Sequence, residues 1–269
     1  MRLLSRQRSG PQGRPSGDGA PIRGLLPLVL GLIVWQIFGA ANSPYFPPPS
    51  EWVGSLAALA KAGRLWPAVG TTLMHFALAL LISVIVGSAL GIVLGRSRTI
   101  DRLLGPSLEF ARTMPAGALV PVAVLIMGYT ASMTLVVVVA TSFWPILLNT
   151  RTSARSISQD RLDTARALRL SWWATQYKIL LPSVVPGIRL GTQIAAPITL
   201  IIVLLVEIMT QVSGVGRQIA LAQSVFRSSA VYGLVALTGC FGLAVNWFIG
   251  GIGRLTRKYD PTFSSGVVS

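Results

Sequence analysis

The sequence predicts an all-α integral membrane protein with six transmembrane helices, and three observations carry that prediction. Hydrophobic residues make up 52% of the 269 and charged residues 12%, about half the roughly 25% of soluble domains. The apolar residues recur in runs close to the roughly 20-residue length of a membrane span. The basic residues sit in a few loops between those runs. A net charge of +15 could signal nucleic acid, but charge set between apolar segments does not build a nucleic-acid face, so no nucleic-acid partner is expected.

The six runs cover about 25–42, 70–95, 114–129, 132–150, 187–209 and 231–252. The first follows a basic tail, residues 1–24, rich in Arg, Gly, Ser and Pro and read as disordered. It lacks a small-x-small cleavage site before Pro44 and five further runs follow it, so it is read as an uncleaved helix. Pro44 to Pro49 end it. Ser50 then reads as an N-cap, with Trp52, Val53, Leu56, Leu59 and Ala60 at helical spacing through about residue 64. That pattern fits a helix lying in the outer interface.

In the second run Gly87, Gly91 and Gly95 are spaced by four on one face, which lets another helix approach closely. Gly95-Arg96-Ser97 is not a phosphate loop, because the G-x-x-x-x-G-K-[ST] string is absent; no nucleotide or other cofactor is expected on this chain. The third run is short and holds Pro115 and Pro121, tolerable only where neighbours repair the backbone. The fourth carries Thr141, Ser142 and Asn149, which could line a path or bond between helices. The fifth ends near Glu207, read as a structural partner of Arg217, with a gating or ion-binding role as the alternative. The sole histidine, His75, is expected to make a local hydrogen bond, and one cysteine, Cys240, excludes an intrachain disulfide. Without convergent acids, bases or ligands, neither a metal site nor an embedded enzyme is expected.

Orientation follows from the loops. With both termini inside, 19 of the 23 Lys and Arg residues lie on the inner side; only Lys61, Arg64, Arg217 and Arg227 lie outside. The positive-inside rule selects that arrangement.

The inner loop at 158–186 has its own internal logic. Ser158 can cap a helix that opens with Asp160 and Asp163 and closes with Arg166 and Arg169, suiting the helix dipole. Leu162, Ala165 and Leu168 form a narrow stripe. Ser171 can cap a second helix carrying Trp172, Trp173, Tyr177, Leu180 and Leu181, ended by Pro182 and Pro186. Two short helices of this kind form a knob outside the bilayer.

The spacing Asp163-Thr164-Ala165, then nine residues from Arg169 to Ile179, Leu181 and Pro182 resembles the EAA loop of importer-type ABC transporter permeases. Asp replaces Glu, Thr replaces the first Ala, and Arg169 stands at the usual Gly. Phe46-Pro47-Pro48-Pro49-Ser50, Met114-Pro115, Phe143 to Thr150 and Gly214-Val215-Gly216 are similar to the subgroup serving nitrate, taurine and aliphatic sulfonates. The resemblance implies a type I importer permease domain over residues 66–253, after a first span and outer helix at 25–65 and before a cytoplasmic tail at 254–269. It implies a bacterial inner-membrane protein that forms a homodimer on two ATPase subunits, fed by an extracytoplasmic solute-binding protein. ATP and Mg²⁺ would sit on the ATPase. Asp163, Thr164, Ala165, Leu168 and Arg169 would meet that ATPase, Ala165 allowing close approach. Loss of Gly at 169 puts the family's corner geometry in question. The solute is not legible, and a secondary transporter or channel using Glu207 is the alternative.

Overall fold

The computed structural model describes residues 22–256 apart from Asn42, and among these there are only helices and connecting turns, with no strand. The tails proposed at 1–24 and 254–269 lie almost wholly outside the described residues. In chain order the helices are α1 (Ile22–Phe38), α2 (Pro49–Lys61), α3 (Leu65–Arg96), α4 (Arg98–Arg112), α5 (Ala116–Met127) and α6 (Ala131–Ser142). There follow α7 (Trp144–Arg155), α8 (Gln159–Ala167), α9 (Trp172–Thr175), a π-helical turn at Gln176–Leu180, α10 (Leu181–Thr210), α11 (Val215–Ser224) and α12 (Ser228–Thr256).

Among the described residues three helices are long and apolar enough to cross a membrane: Leu65–Arg96, Trp172–Thr210 and Ser228–Gly251. Two bent pairs, α4 with α5 and α6 with α7, raise the number to five if each counts as one span. The apolar part of the first helix, Leu26–Phe38, is shorter. Proline causes both bends. Pro115 disfavours helical geometry at Met114, so α4 stops and α5 leaves at 94°. Pro145 withholds an N–H in the first turn of α7, and α6 and α7 meet at 41°. The Trp144 Nε1 donates to the Ala140 carbonyl at 2.9 Å beside that break. With 12 residues, α5 reaches only about 18 Å, less than the roughly 30 Å hydrocarbon core.

The second helix of the 158–186 loop does not end at Pro182 and Pro186. It runs on through the π turn into α10, so that Trp172–Thr210 is one helical rod of 39 residues. In the π turn the Leu181 N–H donates to the Gln176 carbonyl, five residues back. That shift places Pro182 in the first turn of the resumed α-helix, where its missing N–H is tolerated. The rod is about 58 Å long, nearly twice the hydrocarbon thickness.

The main core joins α3, α5, α6 and α10 through Phe76, Val120, Met133, Val138 and Val203. A second core ties α2, α3, α11 and α12 around Leu65, Val69, Val215 and Leu234, with Leu56 and Leu59 of α2 packed on it. The helix α2 is therefore docked on the bundle. Ser50 is not its cap: Pro48 holds the N-cap position, and Ser50 instead exchanges two hydrogen bonds with Gln36 of α1 at 3.0 and 3.1 Å. Trp35, Trp52 and Tyr232 cluster where α1, α2 and α12 meet.

Candidate functional site

The helix α7 is the element on which the sites converge, and glycine decides its packing. On one side Gly87, Gly91 and Gly95 of α3 lie against it; a Cβ at Gly91 would stand 2.7 Å from both the Leu147 carbonyl and Thr150. On the other side Gly187 and Gly191 of α10 do the same, and a Cβ at Gly191 would stand 2.6 Å from the Ile146 Cα. Ile146, Leu147, Thr150 and Ala154 of α7 are buried between the two faces. The pair Gly187 and Gly191 repeats the four-residue spacing of α3 but sits among prolines, which obscured it. Of the polar residues read as possible path lining, Thr141 and Asn149 bond back to carbonyls of their own segment, those of Val137 and Val138 and that of Pro145. Ser142 is fully buried.

Three residues after α7 the chain enters the loop read as the EAA counterpart. Ser158 occupies the N-cap position of α8 without a side-chain capping bond, whereas Ser171 caps α9 by accepting from the Ala174 N–H at 3.2 Å. Asp163 pairs with Arg166 at 3.0 Å on the exposed surface, and the Thr164 hydroxyl donates to the Asp160 carbonyl. The corner after α8 keeps the left-handed geometry that a glycine would adopt. Arg169 has φ +47°, its N–H donates to the Arg166 carbonyl at 2.9 Å, and the Leu170 N–H donates to the Ala165 carbonyl at 3.0 Å. Those two bonds define a Schellman ending. Arg169 therefore preserves the corner at the steric cost of a Cβ in a left-handed residue.

Ala165 is 3% exposed, already covered within the chain itself. The surface at this end is carried instead by Leu168, Trp172, Trp173 and Tyr177, each about two-thirds exposed. The Trp172 and Trp173 rings meet edge to face at 4.6 Å. Leu180 and Val184, one turn further along, pack on Ala154 of α7. Ile179 is half-buried, Leu181 is 43% exposed and Pro182 lies in the first turn of the resumed helix.

Near the opposite end of α10 lies a buried polar node. Glu207 is fully buried and does not pair with Arg217, which is exposed. It accepts from the Thr72 hydroxyl at 2.8 and 3.1 Å and from the Gly216 N–H at 3.0 Å, and lies 3.1 Å from His75 Nδ1. The Thr72 oxygen in turn accepts from the Val215 N–H at 2.8 Å. The bond of His75 thus reaches α10, 132 positions along the chain. A Cβ on Gly214 would fall on the Glu207 carboxylate, so the Gly214-Val215-Gly216 turn fits only without side chains at its two glycines. The node ties α3, α10 and α11 together.

A second charged node sits where α3 ends. Asp101 of α4 is held by Arg151, at 2.6 Å, and by Arg155 of α7. Burial raises its pKa, but the hydrogen bond and charge of Arg151 and the charge of Arg155 outweigh that and hold the carboxyl below the ordinary carboxylate range. Among the described residues no group of three or more His, Cys, Asp or Glu could hold a metal ion.

Comparison with known proteins fits this picture. Residues 83–258 match the family described as the binding-protein-dependent transport system inner membrane component. The chain belongs to that family. It is 31% identical to the bicarbonate transport system permease protein CmpB of Synechococcus elongatus, over 86% of this chain and 88% of that protein. It is 31% identical to the nitrate import permease protein NrtB of Leptolyngbya laminosa, over 70% of this chain and 67% of that protein. It is 26% identical to the SsuC protein of Bacillus subtilis, assigned to aliphatic sulfonate transport, over 89% and 87%. The chain is an ABC permease of the nitrate and sulfonate subgroup, a multi-pass component of the bacterial inner membrane.

Proposed function

We propose that this permease forms the path for a small anion in an ATP-driven importer and takes its power stroke through the 158–186 loop. The carrying observation is the exposed apolar surface of Leu168, Trp172, Trp173 and Tyr177, set around a hydrogen-bonded corner next to the glycine-clamped α7. An aromatic patch of that kind favours a protein partner. Asp163, Thr164 and Arg169 would add polar contacts at its rim. Relatives named for bicarbonate, nitrate and sulfonate all point to anions, which supports the solute class and leaves its member open.

The reading includes six membrane crossings: the three long helices, α1, the α6 and α7 pair, and the stretch 114–129 that contains α5. It leaves α4 at the inner surface and both termini cytoplasmic, as the basic loops favour. One loop per chain also calls for two permease copies on two ATPase subunits, since an ATPase dimer offers two equivalent clefts. A solute-binding protein would dock on the outer side, and ATP with Mg²⁺ would remain on the ATPase. Closure of that dimer would move the loop, α7 and the long rod together as a rigid body.

Reconstitution with its ATPase and binding protein tests the proposal. ATP hydrolysis and uptake should both require the permease and the loaded binding protein. Uptake driven by an ion gradient without nucleotide would instead favour a secondary transporter working through Glu207.

A further inference from the structure

The residues where α3, α4 and α7 meet line an open cavity of about 530 Å³, within the roughly 300–1,000 Å³ range of small-molecule sites. Arg96, Arg98, Arg102 and Arg155 line it together with Asp101. The Asp101 carboxylate is engaged by Arg151 and Arg155. Among the described residues no carboxylate pairs with Arg96, Arg98 or Arg102. The positive-inside tendency explains why arginines lie in this loop, but not why they converge on one cavity.

The helix that carries two of them adds a second observation. Ile100, Leu103, Leu104 and Phe110 occupy one side of α4 and are all exposed, while Arg98, Asp101, Arg102 and Glu109 occupy the other. Because α4 leaves α5 at 94°, an α5 directed into the bilayer lays α4 along its surface. A helix of that composition sits at the boundary of headgroups and acyl chains, apolar face inward. The arginine cavity at its start then opens at headgroup depth.

We propose that this cavity holds the phosphate headgroup of an acidic membrane lipid, with the lipid's acyl chains along Leu103, Leu104 and Phe110. Guanidinium forks match phosphate oxygens in pairs, and the unpaired arginines provide the charge that a zwitterionic headgroup would not repay. The placement of α4 rests on the membrane reading above; lipid retention itself can be measured without transport, so the two can fail separately.

The test is native mass spectrometry of the full-length protein from phosphatidylglycerol-containing membranes, with titration into nanodiscs of phosphatidylglycerol or phosphatidylcholine. The wild type should retain phosphatidylglycerol and be stabilised by it, and phosphatidylcholine should do neither. Arg98→Gln with Arg102→Gln should weaken that binding about 30-fold, at a factor of roughly five for each arginine near the surface. Arg112→Gln, at the far end of α4 and paired with Glu109, should retain the lipid. Equal stabilisation of the wild type by the two lipids would overturn the proposal, as would equal losses in both variants. Saturable binding of inorganic phosphate in phosphatidylcholine nanodiscs, lost with Arg98→Gln and Arg102→Gln, would assign the cavity to a soluble oxyanion and overturn the lipid.

Discussion

The helix α7 and the loop that follows it are a few residues apart and solve opposite problems. Along α7 the large side chains are turned into two glycine faces, and Ile146 and Leu147 are essentially inaccessible. In the loop the large side chains point outward, and Leu168, Trp172 and Trp173 remain mostly exposed. The first arrangement makes an element that can be moved only together with α3 and α10. The second leaves an element whose apolar surface is satisfied only by something outside the chain. On the proposed coupling, the first would be a strut that transmits displacement and the second a handle that receives it.

The strut is the easiest to break. Gly191→Leu would drive a side chain into the Pro145 carbonyl and the Ile146 backbone. Backbone cannot yield as side chains do, so the cost should exceed the roughly 1–3 kcal/mol of ordinary overpacking. Size-exclusion chromatography in detergent should show little or no monodisperse protein. Next comes the far end of the rod. Glu207→Ala should leave the Gly216 N–H buried without its acceptor and deprive Thr72 and His75 of their shared partner, costing about 1–3 kcal/mol. Thermal unfolding in detergent should report that loss, and proteolysis near α11 should quicken, since the node anchors that helix. An unchanged midpoint would mean that water replaces the carboxylate.

The smallest effect belongs to the corner of the handle. Arg169→Gly should relieve the left-handed strain at φ +47° and stabilise the loop by a few tenths to about 1 kcal/mol, the steric gain being offset by a more flexible unfolded chain. Hydrogen exchange at Leu170, whose N–H closes the corner, should slow. Faster exchange would show that the arginine side chain holds the corner by contacts of its own.

What the sequence conveyed followed local pattern. The glycine spacing of α3 was visible, and so were the two helices of the loop and the Ser171 cap, because each depends on residues within a turn or two. Relations across the chain were hidden. Glu207 was matched with Arg217 because ten positions separate them, whereas its partners Thr72 and His75 lie on α3, more than 130 positions away. Pro182 looked like a helix end because proline lacks an N–H; a π turn absorbed that defect and no sequence signal announces one. Ser50 looked like a cap until Gln36 of another helix claimed it. The convergence of Asp101, Arg151 and Arg155 leaves no local mark in the sequence, since it depends on the fold bringing residues 50 or more positions apart together.

The claim that the exposed loop surface is the handle is tested most directly by the variant Leu168→Asp with Trp173→Ser, co-expressed with its ATPase and purified. Both side chains are already exposed, so the permease should fold and keep its thermal midpoint. If they anchor the contact, losing two apolar hot spots should weaken ATPase association by roughly 30-fold or more and abolish stimulated hydrolysis. Co-purification and stimulation equal to the wild type would contradict the account, and the loop would then be a surface hairpin with no part in coupling.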